Sequence, residues 1–85
     1  MSTDRRRVIY VLRSLRHPER QYAELTSDVA ARLAAHNNGD SPLTSRHRPW
    51  KLVVLLQFAD EQRAAEFEKY LKTETGRAFA IRHFL

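Results

Sequence analysis

The sequence predicts an α/β (α+β) domain in the order β-β-α-β-α-α, with a three-stranded antiparallel or mixed sheet flanked by helices. Three observations predict it. Two short β-branched apolar runs, Val8-Ile9-Tyr10-Val11-Leu12 and Leu52-Val53-Val54-Leu55-Leu56, have the length of strands. Two longer stretches, 29–35 and 60–73, carry helix formers behind strong N-cap residues. The composition, 42% hydrophobic with 2 Gly and 3 Pro in 85 residues, suits a compact core rather than disorder.

Each element has a local reason. Residues 5–15 read as a strand, and the run 8–12 suits burial on both faces. Arg16-His17-Pro18-Glu19 is a turn, because proline interrupts the apolar pattern. Residues 20–26 form a second strand, and the short connection makes the pair an antiparallel hairpin. Ser27 or Asp28 caps the first helix, which Asn37-Asn38-Gly39 ends. Residues 37–50 are a long polar loop containing Pro42 and Pro49. Leu52–Leu56 is the most hydrophobic strand and is expected at the centre of the sheet. Asp60 caps a second helix running to about residue 73, with Ala64, Phe67 and Leu71 as its apolar stripe and Gly76 as its stop. Residues 77–85 are expected to form a short helix, with a strand as the alternative.

Length places residues 1–85 in a single domain of marginal stability, to which a homodimer or a bound partner would add. There is no cysteine, so disulfides and thiolate metal sites are excluded and a reducing compartment fits. No apolar run approaches the roughly 20 residues of a membrane span. The run at 8–12 is too short for a signal peptide, and a cytoplasmic location is expected. Net charge is +5, and twelve of the fifteen cations are arginine, whose planar fork suits phosphate oxygens. Residues 1–50 hold nine arginines against five acids, a balance of +4. That asymmetry fits a polyanionic partner or a merely solvated surface.

Five polar residues could share a chemical task. Arg32 and His36 are four apart, hence on one helix face. Arg32 could brace phosphate oxygens or be a solvated helix arginine. His36 could move a proton near neutral pH, or serve as a cation at a helix C-terminus. Tyr10 and Tyr22 lie on the first two strands, and Tyr10 could be core with its hydroxyl at an edge. Glu68 flanks an apolar arc, where a half-desolvated carboxylate needs a cation. It could hold Mg²⁺ or Mn²⁺, pair with Lys72 or Arg32, or turn to solvent. His17, His47 and His83 lack metal-ligand spacing and are expected at the surface, and Trp50 beside Pro49 is expected to anchor the loop, with a base-stacking platform as the alternative.

The order and spacing of these motifs resemble the GIY-YIG nuclease family, in particular its small stand-alone bacterial (URI-domain) members. Val8-Ile9-Tyr10 stands at the first motif and Tyr22-Ala23-Glu24 at the second. The stretch 28–37 looks like the helix with its arginine and histidine. Thr44, Arg46, Arg48, Pro49, Trp50 and Leu52-Val53 look like the following loop and strand. Ala64, Glu68 and Lys72 are similar to the metal-binding helix, and Gly76-Arg77-Ala78-Phe79 to the closing segment. The resemblance implies an endonuclease that cuts DNA phosphodiester bonds, selects structure rather than sequence as in DNA repair, and uses Mg²⁺ or Mn²⁺. It implies Glu68 as metal ligand, Arg32 stabilising the transition state, Tyr10 and Tyr22 handling the attacking water, and His36 assisting at the phosphate. Arg5, Arg6, Arg7, Arg46, Arg48, Lys51 and Lys72 would grip the DNA backbone. The chain departs from the family where it usually has glycine, at Val8, which opens the first motif and where small stand-alone members vary, and at Glu24, which closes the second. Glu24 either turns away, joins the metal's ligands, or marks a degenerate site that binds nucleic acid without cutting it.

Overall fold

The computed structural model describes residues 6–85. Its elements are β1 (Val8–Ser14), β2 (Gln21–Thr26), α1 (Val29–Asn38), a 3-10 turn (Ser45–His47), β3 (Trp50–Gln57), α2 (Glu61–Leu71) and α3 (Glu74–His83). The expected order is observed, and the C-terminal segment is helix rather than strand.

The sheet is antiparallel throughout, in the order β2-β1-β3. The expectation that 52–56 would be central is therefore corrected: β1 is the central strand. Ile9, Tyr10, Val11 and Leu12 are all at most 1% exposed, as a strand covered on both faces must be. β3 is an edge strand with Leu55 exposed. An apolar run shows that a strand is buried somewhere along its length, but not how many neighbours it has.

Side chains leave β1 on alternate faces, so the core divides in two. Ile9 packs with Leu71 and Ala80, joined by Ala23, Leu25, Leu56, Phe67 and Phe79 under α2 and α3. Tyr10 and Leu12 pack with Trp50, joined by Tyr22, Val29, Leu33 and Leu52 under α1. A register shift against β3 decides part of this division. Val11 faces Val54, yet Leu12 faces Leu52, which leaves Val53 as the bulged residue. Opposed residues share a face, so the bulge turns Leu52 and Trp50 towards the Tyr10 side.

The helix ends obey capping chemistry. The Asp28 side chain accepts from Ala31 N–H, and Gly39 ends α1 in the left-handed region at φ 81°. Asp60 accepts from Gln62 N–H at the start of α2. The role expected of Gly76 is corrected. α2 ends at Leu71, Thr73 caps α3 by accepting from Gly76 N–H, and Gly76 lies inside the first turn of α3. A Cβ on Gly76 would lie 1.8 Å from the Tyr70 carbonyl oxygen, so glycine is there to let the two helices meet closely.

Gly76→Ala is expected to destabilise the fold by about 1–3 kcal/mol through overpacking against backbone. Urea unfolding measures it. An unchanged midpoint would show that the α2–α3 junction is looser than described.

Candidate active site

Strand alternation builds the site. Tyr22 and Glu24 are two apart on β2 and share a face, and Tyr10 of β1 is directly opposite Glu24. α1 lies across this face and brings Arg32 and His36, one turn apart, down onto it. Four of the five expected residues, Tyr10, Tyr22, Arg32 and His36, therefore converge. They converge on Glu24.

The Glu24 carboxylate accepts a short hydrogen bond from the Tyr10 hydroxyl. It accepts another from the Tyr22 hydroxyl at 3.2 Å and a third from Arg32 Nε–H at 3.0 Å. Of the three alternatives open for Glu24, turning away is thus excluded. His36 Nε2 lies 2.8 Å from the Tyr10 hydroxyl, and His36 Nδ1 lies 2.6 Å from Thr44 Oγ1. The rings of Tyr22 and His36 meet edge-on at 4.9 Å.

Proton counting fixes the direction of this chain. Tyr10 has one hydroxyl proton, and an ionised Glu24 takes it. His36 Nε2–H must then donate to the Tyr10 oxygen, and Nδ1 of the neutral ring accepts from the Thr44 hydroxyl at 2.6 Å, a much closer acceptor than the Ser41 carbonyl at 3.5 Å. Thr44 is held for that duty, because its carbonyl accepts from Trp50 Nε1–H at 2.8 Å. Trp50 in turn has its backbone N–H and C=O bonded to the Asn37 amide, so it anchors the loop.

Electrostatics agree with the count. Burial pushes the Glu24 carboxyl up, but hydrogen bonds from Tyr10 and Arg32 and the charge of Arg32 outweigh it, and the group ends below the usual carboxylate range. Burial pushes the Tyr22 phenol up to about 12, with Glu24 adding to the effect and Glu68 contributing least. Tyr10 moves further the same way, again from burial first and Glu24 second. Burial and then Arg32 lower His36, with Glu24 opposing.

Glu68 sits beside this cluster. Its Oε2 accepts from the Leu25 backbone N–H at 3.0 Å and pairs with Lys72 Nζ at 3.5 Å. Among the described residues β2 pairs only with β1, so that N–H lies on the other edge of the strand, next in sequence to Glu24. The basic residues are more scattered. Arg5 lies outside the described residues. Arg6 is exposed and borders an open cleft of about 390 Å³ whose wall includes Glu24, Thr26, Asp28 and Arg32. Arg7 donates to the Ala59 carbonyl at 3.1 Å, which ties β1 to the start of α2. Arg46, Arg48 and Lys51 are exposed on the loop that carries Thr44 and at the start of β3.

The GIY-YIG catalytic domain family matches residues 6–81. The chain belongs to the GIY-YIG family. No curated protein and no solved structure matches it. GIY-YIG proteins form a nuclease superfamily and are generally dependent on a divalent metal. Among the described residues no three His, Asp or Glu side chains gather as a metal cage. The donor set still fits a hard cation of the Mg²⁺ kind, which keeps several waters and needs one or two carboxylates. Glu68 uses only Oε2 in its two contacts, so Oε1 is available as an oxygen ligand. No helix among the described residues is long and apolar enough to cross a membrane.

Sequence reasoning missed the central place of Glu24, although a readable signal existed. The two-residue spacing from Tyr22 puts both on one face of the strand. It also missed the support that Asn37 and Thr44 give to His36, which depends on how the loop folds back.

His36 is expected to titrate below its ordinary value of 6.5. Because the neutral form is favoured in the folded state, the stability it confers is complete above that value and is lost as pH falls towards the lower folded pKa. NMR titration of the His36 ring measures the shift directly. A midpoint above 6.5 would contradict the buried, neutral assignment.

Proposed function

We propose that this GIY-YIG domain is an endonuclease that hydrolyses DNA phosphodiester bonds with Mg²⁺ or Mn²⁺ held by Glu68. The observation that carries the reading is the convergence of Tyr10, Tyr22, Arg32 and His36 on one point beside Glu68. A bound divalent ion would supply Lewis-acid stabilisation of charge building on phosphate. The chain's own residues do the rest. Arg32, fixed at one end of α1, offers a permanent charge to the non-bridging oxygens. Tyr22 is half-buried and borders a cleft, and Tyr10 is the interior phenol linked through His36 to Thr44. Together they orient the attacking water and take up its proton. Phenols held this high are weak acids, so a phenolate formed at either would be a strong base.

Substrate handling is electrostatic. Arg46, Arg48 and Lys51 would hold the DNA backbone from the loop side, with Arg6 from just before β1. Lys72 and Arg77 rim a second cleft that Tyr22 also borders. Such contacts read charge and shape rather than base edges, which fits structure-selective cutting. A targeting protein or a second copy of the chain would supply further selectivity. A second reading, a degenerate module that binds nucleic acid without cutting, is favoured by the Glu24–Arg32 ion pair, which occupies the arginine.

Cleavage of branched and nicked DNA separates the two. Arg32→Ala and Glu68→Ala are each expected to reduce Mg²⁺- or Mn²⁺-dependent cutting by about 10²-fold or more, while DNA binding by Glu68→Ala persists. Salt-dependent binding with no cutting in either metal, by every variant including the unaltered chain, would favour the degenerate module.

A further inference from the structure

We infer that Glu24 is an internal anion seated where a substrate phosphate would bind, so that phosphodiester binding must displace it. The inference rests on the nuclease reading of the same site and adds its regulation. Three donors suited to a phosphate oxygen, the hydroxyls of Tyr10 and Tyr22 and the Nε–H of Arg32, all point to Glu24. A carboxylate and a phosphate present equivalent oxygen pairs to such donors, and an arginine recognises both. With Glu24 in place the pair has no net charge, and an arriving phosphate meets a neutralised ion pair instead of a free cation.

The position is set by the backbone. Glu24 is directly opposite Tyr10 and shares a face with Tyr22, so its Cβ cannot leave the site without a slip of the strand. The side chain alone must move. It can, because it is 27% exposed and borders the open cleft between β2 and α1. Glu24 also packs over the Tyr10 hydroxyl, and Tyr10 is 0% exposed. Displacing the carboxylate would therefore free Arg32 and uncover Tyr10 together. It would also remove the anion that helps hold both phenols high.

The test uses the full chain and a short fluorescein-labelled single-stranded DNA in EDTA, at low salt, read by anisotropy. Glu24→Gln keeps the shape and removes the charge. It is expected to bind about tenfold more tightly than the unaltered chain. The gain is expected to vanish when Arg32→Ala is added, because the seat then lacks its cation. Glu19→Gln, which removes the same charge from the hairpin turn, is expected to change binding by less than about twofold. Amide spectra confirm that each variant is folded, and Glu24→Gly replaces Glu24→Gln if that variant is not. No gain on removing Glu24, or an equal gain without Arg32, would overturn the inference. Cutting assays on the same proteins keep the two readings apart. If no variant cuts but the Arg32-dependent gain appears, the nuclease reading fails and the seat stands. If the unaltered chain cuts and binds as well as Glu24→Gln, the seat fails and the nuclease reading stands.

Discussion

A phenol with no access to water must find hydrogen-bond partners inside the protein, and Tyr10 is that phenol. Its ring is core, packed with Leu12 and Trp50 in the central strand. Its hydroxyl is polar, and leaving it unpaired would cost about 1–3 kcal/mol. Glu24 meets the demand from β2 and His36 meets it from α1. Each partner has needs of its own, which Arg32, Tyr22 and Thr44 satisfy. The candidate site is the full set of answers to that one buried oxygen.

The same constraint explains the scaffolding. Tyr10 can be sealed only if its strand has neighbours on both edges and a helix over its own face, and the sheet order and α1 provide them. The bulge at Val53 brings Trp50 onto the Tyr10 side, where its indole N–H fixes Thr44. Asn37, near the end of α1, ties that helix to the first residue of β3. Fold and chemistry are thus linked through Trp50 and Asn37, neither of which touches the carboxylate.

Much of this could be read from the residues alone. The strand at Val8–Ser14, the α1 cap at Asp28 and stop at Gly39, and the α2 cap at Asp60 are local signals with local causes. The arginine and histidine one turn apart placed themselves on a common face, and the GIY-YIG resemblance brought them to the tyrosines. What misled was non-local. Hydrophobicity could not show that 50–57 has one neighbour and 8–14 has two. A glycine after a helix reads equally well as a stop or as a point of close contact, and Gly76 is the latter. The partners of Glu24 are chosen by the β1–β2 register and by how α1 lies across the sheet, so the departure from the family was visible before its consequence was. An anion replacing a family glycine is not tucked away here but sits at the focus of the donors.

The hydrogen-bond chain from Thr44 through His36 and Tyr10 to Glu24 is the claim on which the rest stands. Nitrogen-15 NMR of the His36 ring tests it most directly, because the tautomer is dictated by which partner owns the Tyr10 proton. The account predicts a neutral ring above pH 7 with its proton on Nε2, slowly exchanging and correlated with the Tyr10 hydroxyl. A proton on Nδ1, or rapid exchange of both sites with water, would contradict it.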